Sequence, residues 1–168
     1  MMKWILPLLI LVFSQCRHKD RHADLVIHNA QILLVDEEFR TVKAMAIKDG
    51  KVIETGAERK ILNRYTADEY IDAAGRFIIP AFLLKENEDP AARFAELLQG
   101  YTGQALTAQE SILSLTLLRA RDLYEDDIKG SLSPGKFANF YIMNGNPLNA
   151  VSADDFIISE EYTEGTLK

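Results

Sequence analysis

The stretch LVIHNAQILLVDEEFRTVKAMAIKDGKVIETG, residues 25–56, decides the fold. Its apolar and β-branched runs are four to six residues long and are broken by charged or turn-forming residues, which is the grammar of short strands rather than of helices. The firmest element in it is a hairpin. AMAIK at 44–48 and KVIET at 51–55 flank Asp49-Gly50, and Asp-Gly tolerates the positive φ angles that a two-residue type I′ turn needs. Upstream, 25–30 and 31–35 read as two further strands; downstream, 57–65 reads as a short helix or an irregular connection. Then YID and FIIP flank a turn at Ala73-Ala74-Gly75-Arg76.

Beyond Pro80 the period changes. Asp89-Pro90 places a capping side chain before a proline at the first helical position, and Gly100 supplies a stop. Thr107 and Glu110 form a capping box, after which the apolar run predicts a helix to about Leu123 with Ile112, Leu115 and Leu118 on one face. That face is broad enough to need a cover, and a protein partner is one candidate for it. Gly130, Pro134 and Gly135 then punctuate two turns. FANFYIM at 137–143 reads as a buried strand, and 156–158 as a last one.

Neither end of the chain has enough strands to bury both faces of a sheet, so the two ends must pair. The expected fold is mainly β with two helices (α+β): a small composite β-sandwich built from residues 24–82 and 130–160, with 83–129 as a helical connection and no TIM barrel.

Composition narrows the function. The chain has 168 residues, 48% of them hydrophobic, and a net charge of −6 spread along its length; this argues against a nucleic-acid surface, which needs clustered Lys and Arg. The one cysteine, Cys16, cannot form an internal disulfide. It follows Lys3, an apolar stretch from Trp4 to Phe13, and Ser14-Gln15, in the layout of a signal peptide over residues 1–15. The apolar run is about half of the roughly 20 residues a spanning helix requires. Phe13-Ser14-Gln15-Cys16 resembles the lipobox of bacterial lipoproteins, which implies diacylglycerol on Cys16, a polar tether over 16–23, membrane lipid as a partner, and a location facing the periplasm or the cell exterior. His18 and His22 stand four apart, but the glutamate of a helical zinc motif is missing between them.

Two stretches together resemble the amidohydrolase superfamily, particularly its exported, imidazolonepropionase-like branch. Residues 23–82 carry ADLVIHNAQILLVDEEF, AIKDGKVIETG and IDAAGRFIIPAF; residues 106–148 carry LTAQESI and DDIKGSLSPGKFANFYIMNGNPL. They cover two-thirds of the chain after Cys16. The resemblance implies that these ends form the sandwich that flanks a (β/α)₈ barrel, with zinc or another divalent metal in the barrel and hydrolysis of amide C–N bonds as the activity. The family places a His-x-His pair just after the residues equivalent to Pro80-Ala81-Phe82. Here Leu83-Leu84-Lys85-Glu86-Asn87 follows, and His28 is the last histidine of the chain. Only 24 residues separate Phe82 from Thr107, whereas a barrel needs at least about 200.

The expectation is therefore a truncated, non-catalytic lipoprotein module or deletion remnant, with no catalytic residue, metal ligand or cofactor of its own. The alternative is a subunit that acts on C–N bonds only with a barrel from another chain. Other groups invite simpler readings. Glu86, Glu88 and Asp89 suit an acidic helix start; residues 130–136 lack P-loop spacing; Ser131 and Ser133 have no neighbouring histidine in sequence; and His28 falls inside a strand. Ala81 and Asn139, where the family has glycine and aspartate, bear on the fold alone.

Overall fold

A computed structural model describes residues 21–100 and 103–168. The strands are β1 (Arg21–His28), β2 (Gln31–Leu33), β3 (Thr41–Val42), β4 (Ala44–Lys48), β5 (Lys51–Gly56), β6 (Tyr65–Asp72), β7 (Phe77–Pro80), β8 (Phe140–Met143), β9 (Ile158–Thr163) and β10 (Thr166–Leu167). Helix α1 (Glu58–Arg64) fills the connection after the hairpin, and α2 (Pro90–Gln99) follows β7. A third helix starts as α3 (Ala108–Leu113), continues through a π turn (Ser114–Leu118) and ends as α4 (Arg119–Asp122).

Two sheets form. The first has the order β5-β4-β1-β6 and comes wholly from the amino-terminal segment. The second, β10-β9-β8-β7-β2-β3, draws on both ends. The ends join where β7 pairs antiparallel with β8, from Phe77 opposite Met143 to Pro80 opposite Phe140. The proline closes this ladder, where its missing N–H is least costly.

Burial follows from alternation along these strands. Leu25, Ile27, Met45, Ile47 and Val52 of the first sheet meet Ile32, Ile78, Phe140 and Ile142 of the second to make the sandwich core. The opposite face of the second sheet, with Leu33, Ile79, Tyr141 and Met143, packs on Phe94 of α2 and on Ile112, Leu115 and Leu117. The outer face of the first sheet packs Val26, Ala44 and Ala46 on Ile61 of α1. The order of layers is helix, sheet, sheet, helix pair, a small α+β fold with two mixed sheets and no closed barrel.

Several details differ from the sequence reading. The first strand reaches back to Arg21. Phe156 does not begin the last strand, because its ring stacks on Phe94 at 4.3 Å and Phe82 at 5.2 Å under the second sheet. The strand starts at Ile158 instead and is followed by β10. The third helix is interrupted: the Thr116 hydroxyl donates to the Ile112 carbonyl at 2.6 Å, and the Leu115 carbonyl accepts from the distant Leu83 N–H at 2.8 Å. Both carbonyls are satisfied outside the regular α ladder, which is how a π turn persists inside a helix. The resulting shift buries Leu117, while Leu118 is 41% exposed.

The outer edge of β6 is closed by its own side chain. The Tyr70 hydroxyl accepts from the Ala67 N–H at 3.0 Å and donates to the Tyr65 carbonyl at 3.4 Å.

Glu54 on β5 ties that strand to α1. Its carboxylate, 12% exposed, accepts from Lys60, Arg64 and the Tyr65 hydroxyl at 2.8–2.9 Å. Burial pushes its pKa up, but these three donors outweigh burial and hold it at about 2. A carboxyl depressed on folding stabilises the fold above its unfolded pKa, near 4.5, and that contribution is lost as the pH falls towards the folded value. Glu54→Gln is expected to lower stability by about 1–3 kcal/mol at pH 7. Denaturant melts from pH 7 down to pH 2 should show the gap between wild type and variant closing below pH 4.5.

Candidate functional site

The chain beyond β7 runs between the second sheet and the third helix. Leu83 leaves the sheet with its N–H held by the Leu115 carbonyl, and the backbone turns onto the π turn. Residues 83–89 then run into α2. Glu88 accepts from the Lys85 N–H at 2.9 Å, and Asp89 caps α2 by accepting from the Ala92 N–H at 2.7 Å. Two of the three acids in this cluster are thus committed to the backbone; Glu86 is exposed.

A pocket of about 290 Å³ opens between this link, α2 and the π turn. Leu83, Leu84, Leu97 and Leu115 form its apolar part, while Lys85, Arg93 and Arg119 bring positive charge against Glu88 and Asp122. Nothing in this lining is a histidine or a cysteine, so it offers no imidazole or thiolate to a zinc-type ion.

The loop carrying Ser131 and Ser133 builds a second pocket, of about 230 Å³, with Asp36, Arg121, Asp126 and Lys136. The Ser131 hydroxyl donates to Ser133 Oγ at 3.3 Å, and Lys136 Nζ donates to the Lys129 carbonyl. Burial pushes the Lys136 ammonium below its usual pKa. No histidine lines this pocket.

The turn residues lie where they shape the backbone. Asp49 and Gly50 join β4 to β5 with φ of 50° and 73°. Gly135, at φ 96°, donates its N–H to the Val52 carbonyl at 2.8 Å beside exposed Pro134. Gly130 has the tightest surroundings, since a Cβ there would sit 2.6 Å from Ala120 Cβ and 3.0 Å from the Leu117 Cα. At φ 81° it locks the loop against the third helix. His28 is half-buried with Nδ1 3.4 Å from Glu58 Oε1, a near approach without hydrogen-bond geometry.

Of the face expected to seek a partner, Ile112 and Leu115 lie beneath the second sheet and Leu118 is exposed. Leu123 and Tyr124, which is 93% exposed, follow at the end of the third helix. Cys16 and His18 lie outside the described residues. Among the described residues no helix is long and apolar enough to cross a membrane.

One grouping was hidden in the sequence. His22 and Asp24 on β1 meet Asp68 on β6, with one ligand atom of each within 4.8 Å of the others. Asp68 is separated from the other two by more than forty positions, and only the parallel register of β1 and β6 brings them together.

No protein-family model matches the chain, and no curated protein does. Among solved structures, an adenosine deaminase from Xanthomonas campestris with bound zinc has a TM-score of 0.65 at 7% identity, over 88% of this chain and 93% of that one. The likeness is one of backbone alone. It shows the fold. An E. coli guanine deaminase is 30% identical with a TM-score of 0.35, over 46% of this chain and 23% of its own. A Xaa-Pro dipeptidase with methionine in its active site is 28% identical with a TM-score of 0.35, over 38% of this chain. The chain spans 15% of the dipeptidase's length. The guanine deaminase and the dipeptidase thus match it over partial segments.

Gly130→Ala is expected to destabilise the protein by about 2–3 kcal/mol, because the new methyl group meets both a positive φ and a packed helix. Chemical denaturation measures this, and Gly135→Ala, with open space around its Cβ position, should cost clearly less.

Proposed function

We propose that the chain is a non-catalytic, lipid-anchored β-sandwich module of amidohydrolase type whose barrel has been lost between Phe82 and Thr107. The observation that carries this reading is the fate of the chain after β7. Where a first barrel strand would carry a His-x-His pair, Leu83 is bonded to the π turn and the 24 residues to Thr107 hold no histidine. An activity resides in its site rather than in its fold, and the pocket beside this region is lined by Leu, Lys, Arg, Ser and carboxylates without an imidazole.

Anchoring rests on the lipobox-like residues 13–16. The lipid on Cys16 would hold the sandwich at the outer side of a membrane, where one acyl-bearing residue gains affinity from its buried methylene groups. A second reading, a subunit that covers another chain's barrel, is favoured by the exposed Leu118, Leu123 and Tyr124.

The test is hydrolysis of a panel of N-acyl and cyclic amides by the full chain, purified in detergent and supplied with zinc or manganese. Turnover is expected to equal that of buffer plus metal. Chelator-sensitive turnover that co-purifies with the chain overturns the non-catalytic reading, and turnover that arises only on adding a barrel-bearing chain favours the second. Cys16→Ser is expected to move the protein from the membrane fraction to the soluble one; retention of the variant in the membrane would remove the anchor from the proposal.

A further inference from the structure

β1 and β6 run parallel with Ala23 opposite Ala67 and Leu25 opposite Glu69, so Asp24 stands level with Asp68 on the neighbouring strand. Like charges set opposite one another in a sheet repel, and a cation between the two strands relieves them. His22 already leans into this gap, with Nε2 3.2 Å from Asp68 Oδ1. Asp24 is held from behind: the backbone N–H of Asp49, in the hairpin turn, donates to Asp24 Oδ2 at 2.6 Å. A fixed donor on a ligating carboxylate is the usual outer support of a metal ligand.

We propose that His22, Asp24 and Asp68 form a binding site for one divalent transition-metal ion, zinc in the first place. One ligand atom from each residue lies within 4.8 Å of the other two, a separation that a central ion with bonds of about 2.0–2.2 Å spans after small rotamer adjustments. An imidazole with two carboxylates suits zinc and its neighbours better than calcium or magnesium, which take all-oxygen shells. Water completes the shell, since His22 and Asp68 are exposed. The ion acts as a cross-strand tie. It clamps the first residues of β1 to β6, at the point where the chain enters the sandwich from residues 1–20. None of the three residues lines the pocket beside β7 or the one at the Ser131 loop, so the site is independent of whether the chain hydrolyses anything.

The experiment is calorimetric titration of the full chain in detergent with zinc alone, alongside His22→Ala and Asp68→Ala. One zinc per chain is expected, with affinity at least about tenfold weaker in each variant. Zinc should also raise the Tm of the wild type more than that of either variant, while their metal-free melts stay close to the wild type because both side chains are exposed. Calcium should not compete. The proposal fails if no stoichiometric zinc binds. It fails equally if binding survives Asp68→Ala, which would mark a lone surface histidine, or survives both substitutions, which would place the ion elsewhere.

Discussion

The two larger cores of this molecule depend on the antiparallel ladder between β7 and β8. These two short strands come from segments separated by a helical connection, yet they lie side by side in the middle of the second sheet. Their alternating side chains feed two cores at once: Ile78, Phe140 and Ile142 face the sandwich interior, while Ile79, Tyr141 and Met143 face the helices. Each core thus requires the ladder, because losing it exposes both faces of the sheet together. Burial of side chains of this size contributes about 1.5–3 kcal/mol each, which makes the join between the ends a stronger constraint than any single turn or ion pair.

Much of this was legible in the sequence, and the reason is local chemistry. Asp49-Gly50 admits a single tight turn, so the hairpin could be read from two residues and their flanks. Thr107 and Glu110 state where a helix starts because both halves of the capping box lie within four residues, and the structure shows the reciprocal bonds. The sandwich itself follows from counting strands that cannot close a sheet alone.

What could not be read was set by residues far apart. The π turn needs Leu83, more than thirty positions away, to take a carbonyl that a regular helix would keep, and nothing in the run SILSLTLL announces that partner. Phe156 looked like part of a strand because its neighbours are isoleucines, but its ring is claimed by Phe82 and Phe94. The grouping of His22, Asp24 and Asp68 depends on a parallel register that a helical crossover sets, and such registers leave no local signature.

The division of strands between the sheets also orders events in time. All four strands of the first sheet lie within residues 21–72, so that sheet and α1 can assemble before the rest of the chain has been made. The second sheet must wait for residue 140 and beyond. During that interval the inner face formed by Leu25, Ile27 and Ile47 has no lid, and partly built sheets of this kind associate with one another. At the edge beside β6, the tyrosine that occupies its backbone groups leaves a waiting half-molecule with one fewer place to recruit a strand from a neighbour. The same hydroxyl that looks ornamental in the finished protein is thus a safeguard for the unfinished one.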